Sequence, residues 1–415
     1  MTPRFLILGA LLLLAQAAPA ATPDPLPLTL QQALQAADER NPGLRAASRA
    51  IGIADGGRTQ AGLLPNPELG LSTEGTDRRS RVETVEIAQT IELGGKRSAR
   101  LAAADQERQL AVQALNARRA ELRADVMAAY LDALGMQERV TLARSAIDVA
   151  GRATSAATRR VAAGKISPVE QTRSSVAEAI VNMELIQATA DLSTARRKLA
   201  ALMGTTVVEQ PLVAPTFAFS AIPDATELEA RLDAAPRLRQ ARVQVAREDA
   251  QVGVERALRT PDVRVSVGSQ RDRERGGGTR TVLGLSVPLP LFNRNQGHLA
   301  SALQRADQAR DELDAERLRL LSAAVDARQR LEVAQIQLDS LSSDVLPAAQ
   351  QAYEAAVTGF ELGKFGFLDV LDTQRALIAA RTRYLQVLSE RYLAATDLER
   401  IVPMQGTAFF KEPMQ

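Results

Sequence analysis

The chain has 415 residues, with 51 basic and 49 acidic side chains for a net charge of +2; 46% of its residues are hydrophobic but only 3% aromatic. Charge this balanced and interspersed leaves no basic patch for a nucleic-acid backbone, and few aromatic rings are present for bases to stack on, so no nucleic-acid partner is expected. The absence of cysteine removes disulfides, thiol nucleophiles, thiolate metal ligands and a lipid anchor on an N-terminal cysteine.

Residues 1–20 read as a secretory signal peptide. Arg4 supplies the positive charge, Phe5 to Ala15 form an apolar run, and Ala18-Pro19-Ala20 place small residues where a signal peptidase cuts. That run is well short of the roughly 20 residues a membrane-spanning helix needs, and no later stretch approaches that length. Beyond Ala20 the chain mixes Ala, Leu, Arg, Glu, Asp and Gln, the composition of long amphipathic helices.

A duplication organises the rest. Pro42 and Pro67 recur as Pro236 and Pro261, each pair 194 residues apart, and Gly164-Lys165 recurs as Gly363-Lys364 at a spacing of 199. The first repeat, 21–207, has a helical start broken at Pro42, strands at about 67–75 and 82–93, a long helix 96–163, a tip turn 164–167 and a return helix 168–203. A linker covers 208–225. The second repeat, 226–403, has strands at about 261–270 and 279–291, a long helix 297–359, a tip turn 360–366 and a return helix 367–402, before a tail at 404–415.

The strands are identified by alternation. Val85, Ile87, Ile91 and Leu93 are apolar where Thr84, Glu86, Thr90 and Glu92 are polar, and Leu283, Leu285, Val287, Leu289 and Leu291 alternate in the second repeat. The segment from Lys96 to Ala163 contains no proline and would span about 100 Å as a helix. The fold class is therefore mainly α with a four-stranded β contribution. Strands of roughly 9 to 11 residues match a tilted transmembrane strand, but four of them leave two open edges that lipid does not tolerate. Closure requires other copies of the chain, and three copies would give an even, twelve-stranded barrel with an aqueous lumen. The low aromatic content departs from the aromatic girdles usual in such barrels.

Gln89-Thr90-Ile91-Glu92-Leu93-Gly94-Gly95-Lys96-Arg97 and Val287-Pro288-Leu289-Pro290-Leu291-Phe292-Asn293-Arg294-Asn295-Gln296-Gly297, set in this duplicated plan, resemble the junction motifs of the TolC family of outer-membrane efflux proteins. Within that family they are most similar to the CzcC-like branch serving cobalt-zinc-cadmium or copper efflux. The resemblance implies a homotrimer in the outer membrane of a Gram-negative bacterium, whose β-barrel is continued by a periplasmic α-helical barrel with 208–225 at its equator. It also implies docking to a periplasmic adaptor protein and an inner-membrane resistance-nodulation-division transporter, with heavy-metal cations as cargo; drugs or secreted polypeptides are the alternative cargo.

By the same resemblance the hairpin turns form the periplasmic aperture. Asp369 and Asp372 would line it as acidic rings, since carboxylates at i and i+3 share a helix face and rings of carboxylates draw cations. A solvated first-turn pair favourable to the helix dipole is the plainer reading. Family members can carry a Tyr and an Arg that tie the closed aperture; the aligned positions here are Phe360 and Phe365, which are expected only to pack. Glu170 falls opposite Asp369, and Arg173 opposite Asp372. Gly164, Lys165, Gly363 and Lys364 are the candidate adaptor contacts, although turn chemistry alone explains the glycines.

No enzyme is expected. Gly95-Lys96-Arg97 lacks the spacing and the hydroxyl residue of a phosphate-binding loop, and with no cysteine the single histidine, His298, cannot assemble a zinc site of ordinary ligands. No cofactor and no resident metal site are implied. A periplasmic coiled-coil structural or adaptor protein is the rival class, and the two strand pairs argue against it.

Overall fold

The computed structural model describes residues 26–75, 81–215, 222–273, 277–362 and 364–402; the expected signal peptide 1–20, the tail 404–415 and Gly363 lie outside them. In chain order the elements are α1 (Leu30–Arg40), α2 (Pro42–Ala61), β1 (Glu68–Glu74), β2 (Val82–Ile91), α3 (Lys96–Ala162) and α4 (Pro168–Leu202). After the linker come α5 (Ala225–Leu232), α6 (Pro236–Ala257), β3 (Val263–Asp272), β4 (Gly278–Ser286), α7 (Gln296–Ser340), α8 (Leu346–Glu361) and α9 (Phe367–Ile401).

Local chemistry sets these boundaries. Thr29 and Gln32 exchange side-chain and backbone hydrogen bonds to open α1. Asn41 closes α1 and starts α2, its Oδ1 accepting the Leu44 N–H at 3.1 Å with Pro42 at the first helical position. The left-handed Gly164 ends α3: its own N–H donates to the Val161 carbonyl, and the Lys165 N–H reaches back to the Arg160 carbonyl at 2.9 Å.

Four expected boundaries shift, each for a stated reason. The single helix expected at 297–359 is two, α7 and α8, joined by a π-helical turn at Leu341–Val345. Pro347 has no N–H to donate and its ring would collide with the carbonyl four residues back, so the wider turn before it takes up the mismatch. β4, expected to reach residue 291, ends at Ser286 because Pro288 and Pro290 cannot donate to a ladder. β2 ends at Ile91 rather than 93: the Leu93 N–H turns to the Asp262 carboxylate at 3.1 Å, and left-handed Gly94 and Gly95 redirect the chain into α3. β3, expected at 261–270, runs from Val263 to Asp272, since Pro261 has no donor and Asp262 is engaged with α3.

The strands form one antiparallel sheet in the order β1-β2-β3-β4. Pairings such as Leu69↔Ile87, Ile87↔Val267 and Val267↔Leu283 join odd-numbered residues only, so one face carries the odd positions and the other the even ones. The helices form a layer in which α3 packs on α2, α4, α6 and α9, and α7 packs on α6 and α9. Two apolar cores fix the middle of this layer. In one, Tyr130 of α3 sits among Leu30, Met127 and Leu199 and donates to the Leu28 carbonyl at 2.7 Å. In the other, Leu228 and Leu232 of α5 pack on Leu320, Leu331 and Leu398, and Arg328 donates to the Pro223 carbonyl at 2.9 Å. Each long helix thereby pins the opening segment of its repeat.

Between these cores Glu399 of α9 is pressed against α3. Arg123 stands 3.8 Å from one carboxylate oxygen, and the other has no hydrogen-bond partner among the described residues. Burial pushes the Glu399 carboxyl up, and Arg123 pulls it only partly back. The folded chain thus holds this proton to higher pH than the unfolded chain, so the associated stability is present below the ordinary glutamate range and is lost as pH rises through the folded value. Glu399→Gln is expected to raise the thermal unfolding midpoint at neutral pH, with the advantage shrinking on acidification. A circular-dichroism melt showing the variant less stable at neutral pH would contradict this.

Candidate functional site

The tips of the two helical hairpins hold every residue singled out for the aperture. At the first tip, Gly164 and Lys165 are exposed beyond the end of α3, and Ser167 caps α4 by accepting the Val169 N–H. Glu170 lies in the first turn of α4, 3.2 Å from Arg173, a pair made three residues apart on one helix face.

The second tip is built differently. The Lys364 N–H closes the end of α8 on the Gly359 carbonyl at 2.8 Å. The Phe365 ring covers Gly359 so closely that a Cβ there would collide with it, which is why the last turn of α8 carries glycine. Asp369 accepts the Gly366 N–H at 2.8 Å and so stops the end of α9 from fraying. Asp372 projects freely, its side chain 74% exposed, with Arg375 3.8 Å away. A pair this exposed contributes little to stability.

Phe360 does more than pack. The Arg160 guanidinium, in the last turn of α3, lies 4.4 Å from the centre of its ring, so a cation–π contact ties the first tip to the second. Sequence reading missed this because Arg160 and Phe360 are 200 residues apart; the only signal was a paired Arg159-Arg160 before the Gly-Lys turn. A groove of about 450 Å³ separates the return helices just above the tips. Val169, Val176, Leu368 and Leu371 form its floor, and Arg173 and Arg375 its rim.

At the far end of the helices the sheet presents an apolar face. Leu69, Leu71, Val85, Ile87, Ile91, Val265, Val267, Leu283 and Leu285 are all exposed, Leu283 at 79%. A contiguous apolar surface of this kind marks contact with lipid or protein. The even face is polar, carrying Glu68, Glu86, Arg264, Gln270 and Arg280, with Arg264 2.5 Å from Glu68. Below the sheet, Lys96 is buried with its ammonium 2.6 Å from Asp262, and Arg100 clasps Glu92. A Cβ on Gly94 would stand 2.5 Å from Thr260, so the two repeats are interlocked where strands become helices. These residues explain the first junction motif. Among the described residues, no helix is long and apolar enough to cross a membrane, and no group of His, Asp or Glu could hold a metal ion.

The outer membrane efflux protein family matches the chain over residues 33–205 and again over 228–402. The cobalt-zinc-cadmium resistance protein CzcC of Cupriavidus metallidurans is 44% identical over 384 residues, covering 91% of this chain and 90% of that protein. The nickel-cobalt-cadmium resistance protein NccC of Alcaligenes xylosoxydans xylosoxydans is 29% identical over 340 residues, 79% of this chain and 74% of its own. Among solved structures, the outer membrane protein VceC of Vibrio cholerae superposes with a TM-score of 0.76 at 20% identity, covering 92% of this chain and 96% of that one. CusC superposes at 0.77 with 16% identity, covering 90% and 91%. The structural likenesses speak for the fold, and the sequence matches extend over both repeats. With its strand pairs, long helical hairpins and this match along most of its length, the chain belongs to the outer membrane efflux protein family.

Proposed function

We propose that this chain forms, as a homotrimer, the exit channel of a tripartite efflux pump, passing divalent heavy-metal cations from a periplasmic adaptor and an inner-membrane resistance-nodulation-division transporter to the exterior. The observation that carries this reading is the exposed apolar face of a four-stranded sheet whose outer strands, β1 and β4, each have one free edge. Lipid covers such a face only if both edges are paired, and three copies supply a closed barrel of twelve strands. A ten-residue strand, as in β2, rises about 34 Å, which at the usual tilt spans the roughly 25 Å apolar band. The polar even face would then line the lumen, and the hairpins would continue it as a periplasmic tunnel.

The helices support the same assembly. Val169, Val176, Ile180 and Met183 make an exposed stripe along α4, and Leu318, Val325 and Ile336 another along α7. Spacings of seven, four and three residues in α4, and of seven and eleven in α7, keep each stripe on one face, as packing against a neighbouring helix requires. The cargo assignment rests on the resistance named for CzcC and NccC. The tips hold no histidine or cysteine, so metal selection falls to the inner-membrane partner and the channel conducts passively.

At the mouth, Asp369 and Asp372 act as threefold rings that favour cations, with Asp372 the freer of the two; Glu170 contributes less because Arg173 answers it. The exposed Lys165 and Lys364, beside Gly164 and Gly363 in sequence, meet the adaptor. Arg160 on Phe360, with Phe365 packed over Gly359, restrains the second hairpin against the first.

The purified full-length protein is expected to have trimeric mass in detergent and to give discrete conductance in planar bilayers; a non-conducting monomer would return the chain to the coiled-coil class. Asp369→Asn with Asp372→Asn should lower the cation preference of that conductance, and unchanged selectivity removes both from the mouth. Arg160→Ala loses a contact of about 0.5–1 kcal/mol at an exposed site and should raise the open fraction of the pore severalfold; an unaltered open fraction rules out the restraint. Reversing charge at Lys165 and Lys364 should reduce recovery of the adaptor in pull-downs, and undiminished recovery excludes the turns.

A further inference from the structure

The two strand-to-helix junctions differ in length. Four residues, 92–95, separate β2 from α3, whereas nine, 287–295, separate β4 from α7. The longer junction projects Leu289, Leu291 and Phe292, and Phe292 is 90% exposed, the highest value among the exposed large hydrophobic residues. Its backbone is nevertheless held: the Leu291 N–H donates to the Leu289 carbonyl at 2.8 Å, Arg294 donates to the Pro290 carbonyl at 3.1 Å, and Asn295 donates to the Glu255 carbonyl at 2.9 Å. The segment is a fixed apolar projection.

A second exposed apolar pair, Leu63 and Leu64, precedes β1 at the same end of the sheet. It is fixed too, because Arg100 donates to the Leu63 carbonyl at 3.2 Å and Gln89 to the Pro65 carbonyl at 2.9 Å. In a closed barrel, β4 of one copy runs antiparallel to β1 of the next. β4 heads towards the helices and β1 leaves them, so residues 287–292 of one copy come to lie beside residues 63–67 of the next. Pro288 and Pro290 on one side, and Pro65 and Pro67 on the other, remove the donors a longer ladder would need. Below the last ladder bond, only side chains remain to close the seam.

We infer that Leu289, Leu291 and Phe292 of one copy pack on Leu63 and Leu64 of the next, forming an apolar collar that seals each subunit boundary where the barrel meets the tunnel. This rests on the trimeric reading and adds to it the contact that holds the barrel base shut. Fixed backbones on both sides mean that little ordering entropy is lost when the two patches meet.

The cysteine-free sequence makes the test direct. Leu64→Cys is combined in turn with Leu289→Cys, Leu291→Cys and Phe292→Cys in the full-length protein, purified in detergent and mildly oxidised. A disulfide forms only when the two Cβ atoms approach within about 4.5 Å. At least one double variant should yield covalent dimers and trimers on a non-reducing gel, while each single variant runs as a monomer. Trimeric mass before oxidation with no cross-link in any of the three overturns the collar and leaves the trimer standing; monomeric mass removes both. A polarity-sensitive dye on Phe292→Cys that shifts to the blue on moving from detergent to phospholipid vesicles, without cross-linking, assigns the projection to lipid and likewise overturns the collar.

Discussion

Backbone hydrogen bonding in a medium without water is the constraint on which the rest of this molecule depends. An unpaired N–H or C=O in hydrocarbon costs several kcal/mol, so strands in lipid must be paired along both edges. The described residues form one four-stranded sheet with an apolar face, leaving β1 and β4 each with an open side. The sheet is thus incomplete as a membrane structure. Register enforces the separation of faces: the pairings join odd residues to odd and even to even, and a slip of one residue would carry the charges of Glu86 and Arg264 onto the apolar side.

The transition from sheet to helix is where that constraint is handed over. Strands pair with neighbours, but helices satisfy their own backbone, so edges cease to matter once the chain has turned into α3 and α7. Charged pairs brace the turn itself. Lys96 is buried at its end beside Asp262 and Gly94 stands against Thr260, locking the first repeat to the second, while Glu92 pairs with Arg100 within the first. An ion pair as buried as Lys96 with Asp262 adds little net stability but penalises other arrangements heavily, because a misplaced Lys96 would leave a charge without its partner. The second junction has no such lock. It uses Asn295 against Glu255 and a proline-rich excursion instead, which makes the two halves chemically unlike where they are topologically alike.

The same inequality reaches the tips. α3 runs without interruption for 67 residues, while its counterpart is broken by the π-helical turn before Pro347. The first tip balances Glu170 with Arg173, and the second presents Asp372 almost bare while Asp369 is used in part to start its own helix. One hairpin therefore has an unbroken long helix and the other an interrupted one, and the two touch at Arg160 and Phe360.

Much of this was legible in the order of the residues alone. Alternation with period two and long proline-free stretches are local properties, and they located the four strands and the helices because the physics that produces them, one wet face and one apolar face, acts residue by residue. Local pattern also misled. Leu283 to Leu291 alternate without a break, yet the strand stops at Ser286, because alternation reports side chains and Pro288 and Pro290 act on the backbone. The Pro347 break was visible as a residue and invisible as a π-helical turn, since the turn exists only where a rigid ring meets a helix held at both ends by packing. The contact of Arg160 with Phe360, the burial of Lys96 and the unpaired Glu399 oxygen could not be read from sequence at all. Each joins parts of the chain separated by many residues, which only tertiary packing brings within reach. Composition and period determined which elements form, and tertiary packing alone decided which charges are spent on structure and which, like that of Asp372, stay exposed to solvent.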